Sequence, residues 1–447
     1  MTPSSPLYHG AFELDRSLLN RNFERPERLG RMLLGAACFF LCWHILRSQA
    51  LNFSLSDLLF LICFLIMIVR NRLNIMAMQA MTAPWLISLS MMLGGLLLGS
   101  IFNGDPLRWL NVASQYLFGF LLLPMILMSE DRDWVRRCLV YFVYGVVIAQ
   151  LIALLAGEFL PYEQTKEIFS PRFVTGNGRI GGMVSDANLN GGVVAYAIIA
   201  LLNGYHFGLI RPFLTLCLGT ILIWSLLASA SFTAFSATCV ALTVYFLLSN
   251  PVRFLKFGIP LILLFVAYVA FDMPLPAAFT DRVLGAVLSG DLNQAGTFTQ
   301  RSALIADAWN MSKDTLFVGL GVDEFRKASS FGIPVHQLWL LMLTEGGVLS
   351  LAGLAAMFAV LGVMGMKALG FHREDGATVL AMLAILMIFS TSIPHMYNRL
   401  WIAPLMLALA AAFARPSLRF WAADGGEGEP FEPLEHPINL SAQERRS

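Results

Sequence analysis

Charge is what this sequence has least of. Asp, Glu, Lys and Arg make up 13% of its 447 residues while 57% are hydrophobic, against about 25% and 45–50% in an average soluble domain. That balance excludes a water-soluble globular fold. A basic surplus is also missing, since the net charge is only +1, so no concentrated cationic surface exists to neutralise a nucleic acid. Cysteine is scarce and poorly placed: Cys38, Cys42, Cys63, Cys138, Cys217 and Cys239 all fall in apolar runs, giving neither a disulfide framework nor a metal-ligand spacing. No pattern argues for a metal, a nucleotide or another cofactor, and the internal repeat of many secondary transporters is absent.

What is present is a succession of long apolar runs. At the threshold of roughly 20 mostly apolar residues per spanning helix, about twelve candidates emerge, at 32–47, 54–69, 82–101, 109–128, 138–156, 190–209, 213–229, 232–248, 256–271, 338–366, 377–393 and 400–415. The fold class expected is therefore all-α and polytopic, with spans nearly free of charge. Ser48-Gln49-Ala50 resembles a cleavage site, but about 30 polar residues precede the first run, so it reads as a retained helix rather than a signal peptide. Positive charge resists translocation. Arg70 and Arg72, then Arg132, Arg136 and Arg137, then Arg211, then Arg253 and Lys256, then Lys367 and Arg373 fall in alternate short loops, whereas the other short loops hold only Arg47, Arg108 and Arg399. The expectation is a cytoplasmic segment over 1–31, a membrane domain over 32–415, and a cytoplasmic tail over 416–447 whose Gly/Pro/Glu-rich composition reads as disordered.

Two loops on the outer side are too long to be simple connections, 157–189 and 272–337. The first runs PRFVTGNGRIGGMVSDANLN from Pro171 to Asn190, with four glycines around Arg172 and Arg179 that let backbone approach a ligand. Composition alone equally fits a flexible loop with snorkelling arginines. The second predicts a helix from about Thr299 to Lys313, capped by Thr297 or Thr299, with Leu304, Ile305, Ala308 and Trp309 as its apolar stripe and Arg301 in its first turn. A guanidinium offers a planar donor fork suited to pyrophosphate; a surface pair with Asp307 or Asp314 is the plainer alternative. His336-Gln337 opens the next apolar run, where an imidazole at headgroup depth can take a hydroxyl proton or simply sit at the interface. His44 and His395 read as interfacial histidines. Between Asp272 and Val335 seven acids outnumber five Lys/Arg, so the loop as a whole repels an anionic donor and individual arginines must overcome it.

The order of these elements resembles the O-antigen ligase and polysaccharide polymerase superfamily. Arg179 with Gly181 and Ser185-Asp186-Ala187-Asn188 resembles that family's arginine, glycine and Asp-Pro-Asn element. Arg301, Trp309 and Gly319-Leu320-Gly321 resemble its arginine-led helix and glycine turn, and His336-Gln337 with Gly347 is similar to its ligase motif. Ala187 departs from the usual proline, Ser350 stands where glycine, threonine or tyrosine is commoner, and Phe232 occupies a position often held by arginine.

The resemblance implies a metal-independent, inverting glycosyl transfer on the periplasmic face of a bacterial inner membrane, with an undecaprenyl-pyrophosphate-linked glycan as donor. Arg179 and Arg301 would stabilise the departing pyrophosphate with Arg172 assisting, His336 would receive the acceptor proton, and Asn188 and Gln337 would bind substrate. The acceptor would be another lipid-linked repeat unit in a polymerase or lipid A-core in a ligase. Membrane lipids and a chain-length regulator protein are the implied partners. A protein O-oligosaccharyltransferase and a transporter or flippase are the remaining alternatives.

Overall fold

The computed structural model describes residues 28–48, 53–271, 273–291, 293, 296 and 298–415. Most of the expected 1–31 segment, the 416–447 tail, Thr297 as a helix cap and a few positions of the second long loop lie outside the described residues.

Helix dominates. The only strands among the described residues are the two-residue pair Arg47–Ser48 and Phe53–Ser54, paired antiparallel. A helix occupies at least part of each apolar run, and among the described residues seven helices are long and apolar enough to cross a membrane: Gln79–Asn103, Pro106–Leu127, Arg132–Phe159, Ala187–His206, Pro212–Ser229, Phe232–Ser249 and Leu338–Phe371. Leu55–Val69 and Arg399–Phe413 are shorter apolar helices. Among the described residues the first helix is already formed at residue 28, so it takes in Arg28 and Arg31 ahead of the 32–47 run. Large apolar side chains such as Ile87, Ile101 and Phe102 point outward, as they do on helices solvated by hydrocarbon rather than water.

The bundle is centred on Arg399–Phe413, whose residues from Arg399 to Ala412 are all buried. Local signals set the helix starts. Ser54 accepts from the Asp57 amide while Asp57 answers the Ser54 amide, closing a capping box on Leu55–Val69. Asp131 caps Arg132–Phe159 by accepting from Trp134, and Asp186 caps Ala187–His206.

Leu338–Phe371 runs against Thr82–Asn103 and is not continuous. Gly347 breaks it at φ 69°, ψ −171°, a region open almost only to glycine. The interruption frees backbone groups that cannot stay unpaired in an apolar interior. Residues 316–321 supply the partners: Leu320 N–H donates to Thr344 O at 2.9 Å, Gly321 N–H to Glu345 O at 2.9 Å, and Leu316 O accepts from Val348 at 2.8 Å. The fit is close enough that a Cβ on Gly319 would lie 2.2 Å from the Glu345 carbonyl. Gly347 and the Gly319-Leu320-Gly321 turn, read separately from the sequence, are thus two sides of one seam.

The spans are nearly, but not wholly, free of charge. Glu345 lies fully buried inside Leu338–Phe371, two residues before the break. Asp57 and Arg399 are also buried, but at helix starts and paired with each other.

Candidate active site

The helix ends reached by the two long loops meet at one cavity of about 360 Å³, lined by Asp186, Asn188, Thr233, Arg301, His336, His395 and Asn398 among others. That volume is within the range of small-ligand sites, about 300–1,000 Å³. Its walls come from segments as distant in sequence as Arg47 and Trp401.

The 157–189 loop reaches the cavity through a chain of hydrogen bonds. Gly181 passes so close to the Arg172 carbonyl that a Cβ there would stand 2.1 Å from it. Ile180 N–H donates to Ala228 O at 3.0 Å, fastening the loop to the end of Pro212–Ser229. Buried Asn190 donates to the Ile180 carbonyl at 3.1 Å and exchanges hydrogen bonds with Gln150. Ser185 turns the chain at φ 58°, and Asp186 Oδ1 accepts from the Asn188 and Leu189 amides at 2.9 and 3.0 Å. Ala187, where the family pattern has proline, is the first helical residue. Proline is favoured there because that N–H has no intrahelical partner, so alanine keeps the geometry.

Arg179 braces this element. Its Nε donates to Ser229 O at 3.0 Å and its Nη2 to Asn188 Oδ1 at 2.8 Å. Asn188 lines the cavity; Arg179 stands behind it.

The second loop folds as the sequence indicates, with a helix over Phe298–Asp314 against the expected Thr299–Lys313. Leu304 and Ala308 are buried, while Trp309 is largely exposed. Arg301 projects into the cavity and forms no salt bridge among the described residues. Asp307, its suggested surface partner, instead accepts from Ser329 Oγ at 2.7 Å.

Three guanidiniums are close enough to repel one another. Arg179 is pushed down to about 10 by burial and by Arg282 and Arg301, with Asp186 opposing. Arg282 is lowered by burial and Arg301. The arrangement favours an anion with several negative oxygens. Arg282 counted in the sequence only toward the loop's charge, because nothing in its spacing from Arg179 indicates that they meet.

His336 lines the cavity together with Arg301. Burial, then Arg301, push its pKa below the ordinary histidine value, with the Pro334 backbone and Asp186 opposing. Its imidazole is therefore neutral at neutral pH, and Nδ1 is buried with no hydrogen-bond partner among the described residues.

Two sequence candidates stand apart. Arg172 is exposed on the loop and does not line the cavity. Gln337 is the N-cap residue of Leu338–Phe371, where its backbone carbonyl accepts from Leu341. Phe232, at the position often arginine in the family, packs against the Leu227, Ala230, Phe279 and Val283 cluster, and its neighbour Thr233 faces the cavity.

His395, read from the sequence as interfacial, lines the same cavity and stands beside Asp323 and Glu345. Those three are a possible metal-ligand set among the described residues.

No protein-family model matches the chain, and no curated protein sequence does either.

Proposed function

We propose that the chain is a polytopic inner-membrane glycosyltransferase with about twelve spans, both termini cytoplasmic and its cavity on the periplasmic side. It transfers an undecaprenyl-pyrophosphate-linked glycan to a sugar hydroxyl. The observation that carries this reading is the meeting of Arg301 and His336 in one cavity, with Asn188 held there by Arg179.

The chemistry asks for two things. As the anomeric bond breaks, charge builds on the leaving pyrophosphate, and fixed cations in a partly dry site stabilise that charge more than the ground state. Arg301 supplies the direct contact, and Arg179 and Arg282 raise the local positive potential. The acceptor hydroxyl must lose its proton as it attacks, and a neutral imidazole at His336 accepts it. Attack opposite the leaving group inverts the anomeric centre. Arg172 and Gln337 are left with secondary parts, since neither lines the cavity.

Within this activity the acceptor is taken to be a second lipid-linked repeat unit, which makes the protein a polymerase; the spacing of His336-Gln337 to Gly347 favours the ligase alternative. The test is purified protein in nanodiscs with a lipid-linked repeat unit, with and without lipid A-core. Polymer growing on the polyprenyl carrier alone supports the polymerase, and product only on lipid A-core makes it a ligase. No glycan transfer under either condition, with movement of the intact lipid-linked donor between leaflets, would replace the enzyme with a flippase.

A further inference from the structure

Glu345 is fully buried, and neither of its carboxylate oxygens makes a hydrogen bond, although the Asp323 backbone amide faces them. His395 Nε2 is in the same condition, buried and without a hydrogen-bond partner. The two unpartnered groups point at each other, with 3.7 Å between Nε2 and Glu345 Oε2, and Asp323 Oδ1 stands 4.0 Å from that same nitrogen. One ligand atom from each residue lies within 4.8 Å of the other two. A buried carboxylate that lacks a well-formed hydrogen bond is strongly unfavourable, and its separations from His395 and that of Asp323 from the same ring are too long for hydrogen bonds. They are the separations of atoms sharing one cation, because bonds of about 2.0–2.2 Å to imidazole nitrogen and carboxylate oxygen place neighbouring ligand atoms about 3–4 Å apart.

We propose that Asp323, Glu345 and His395 bind one divalent transition-metal cation, with zinc the best match. An imidazole in the set argues against calcium and magnesium, which take oxygen ligands, and the lack of thiolate argues against the softer metals. The surroundings are arranged for the task. Arg108 Nε donates to Asp323 Oδ2 at 2.5 Å, orienting that carboxylate and leaving Oδ1 for the metal. The other ring nitrogen of His395, Nδ1, is 3.5 Å from the Tyr116 hydroxyl, the kind of neighbour that fixes the tautomer and plane of a ligating histidine.

The three ligands come from separate stretches of chain. Asp323 follows the 316–321 segment, Glu345 precedes the Gly347 break, and His395 lies in the turn between Arg373–Ser390 and Arg399–Phe413. A cation here ties the interrupted helix to two loops that shape the cavity. It is a strut in one wall and takes no part in glycosyl transfer, so the proposal stands or falls apart from the proposed activity.

The experiment is metal analysis of the full chain in detergent, stripped with a chelator, dialysed against zinc and then against metal-free buffer. Elemental analysis should give one zinc per chain, and zinc but not magnesium should raise the melting temperature. Glu345→Gln and His395→Ala should each weaken zinc retention by more than about tenfold and abolish the zinc-dependent shift. Asp323→Asn provides a third variant if either of these aggregates. Wild-type protein that retains no stoichiometric zinc overturns the proposal whatever the variants do. Zinc retained equally by the variants also overturns it.

Discussion

Arg179 holds Asn188 in the cavity wall: its Nη2 donates to Asn188 Oδ1 at 2.8 Å while its Nε is fixed on the Ser229 carbonyl at 3.0 Å. Two N–H groups of one planar fork thus join the glycine-rich loop, the end of one helix and the start of another.

A lysine has no such fork and can satisfy only one of those acceptors well. Arg179→Lys should therefore cost nearly as much transfer activity as Arg179→Ala, on the order of 10–100-fold for a charge-assisted bond of about 1.5–3 kcal/mol. Asn188→Ala should fall in the same range. Steady-state turnover of the three variants checks this, and near-normal turnover of Arg179→Lys would show that the brace is dispensable.

Arg301 and His336 should separate in a binding assay. Arg301→Ala should weaken affinity for the lipid-linked donor as well as turnover, because in the proposed reaction its guanidinium faces the pyrophosphate. His336→Ala should lose about 10²–10⁴ in rate with donor affinity nearly unchanged. Equal losses of affinity in the two variants would make His336 a donor ligand.

The pH profile carries a second test of His336. Its lowered pKa means that the proton is gained only at more acidic pH, so the neutral, working form persists below the ordinary histidine value of about 6.5. Activity should hold through that value and fall only at lower pH, as the imidazole becomes charged. An acid limb centred at or above about 6.5 in the initial rate would mean that another group controls it.

Gly347→Ala puts a Cβ into a conformation reserved for glycine, with the Phe317 carbonyl 2.8 Å away. The backbone alone should cost on the order of 1–3 kcal/mol, seen as a lower melting temperature and reduced yield. Gly94→Ala is the control, since a Cβ there meets nothing within 4 Å, and it should leave stability unchanged or slightly raised.

Sidedness is open to impermeant thiol labelling after permeabilising the outer membrane. Cysteines at the exposed positions Asn177 and Ser330, in a background lacking the native cysteines, should react, whereas one at Asn71 should not. The reverse pattern would turn the protein over.

Much of this was legible in the sequence because it is local. Apolar runs give helices, and the Leu304 and Ala308 spacing gives the Phe298–Asp314 helix. Arg301 and His336 stood out by chemistry and Asn188 by the resemblance, and the three do meet. The rest depends on contacts between distant positions. Nothing near His395 indicates Asp323 or Glu345, and Glu345 sits in an apolar run where one charge hardly changes the hydropathy. The brace role of Arg179 needed the position of the Ser229 carbonyl, which no periodicity reports. The break at Gly347 was hidden because glycine is common in apolar helices and only the dihedral angles distinguish a kink from a packing contact.

The seam at the interrupted helix also decides where the polypeptide tolerates engineering. Residues 316–321 are hydrogen-bonded in register to the backbone on both sides of Gly347, so adding even one residue there would slide every donor past its acceptor. Gly290, by contrast, closes a short helix with open space around it. An affinity tag or a fluorescent reporter belongs at that corner, where lengthening the chain leaves the cavity walls in place.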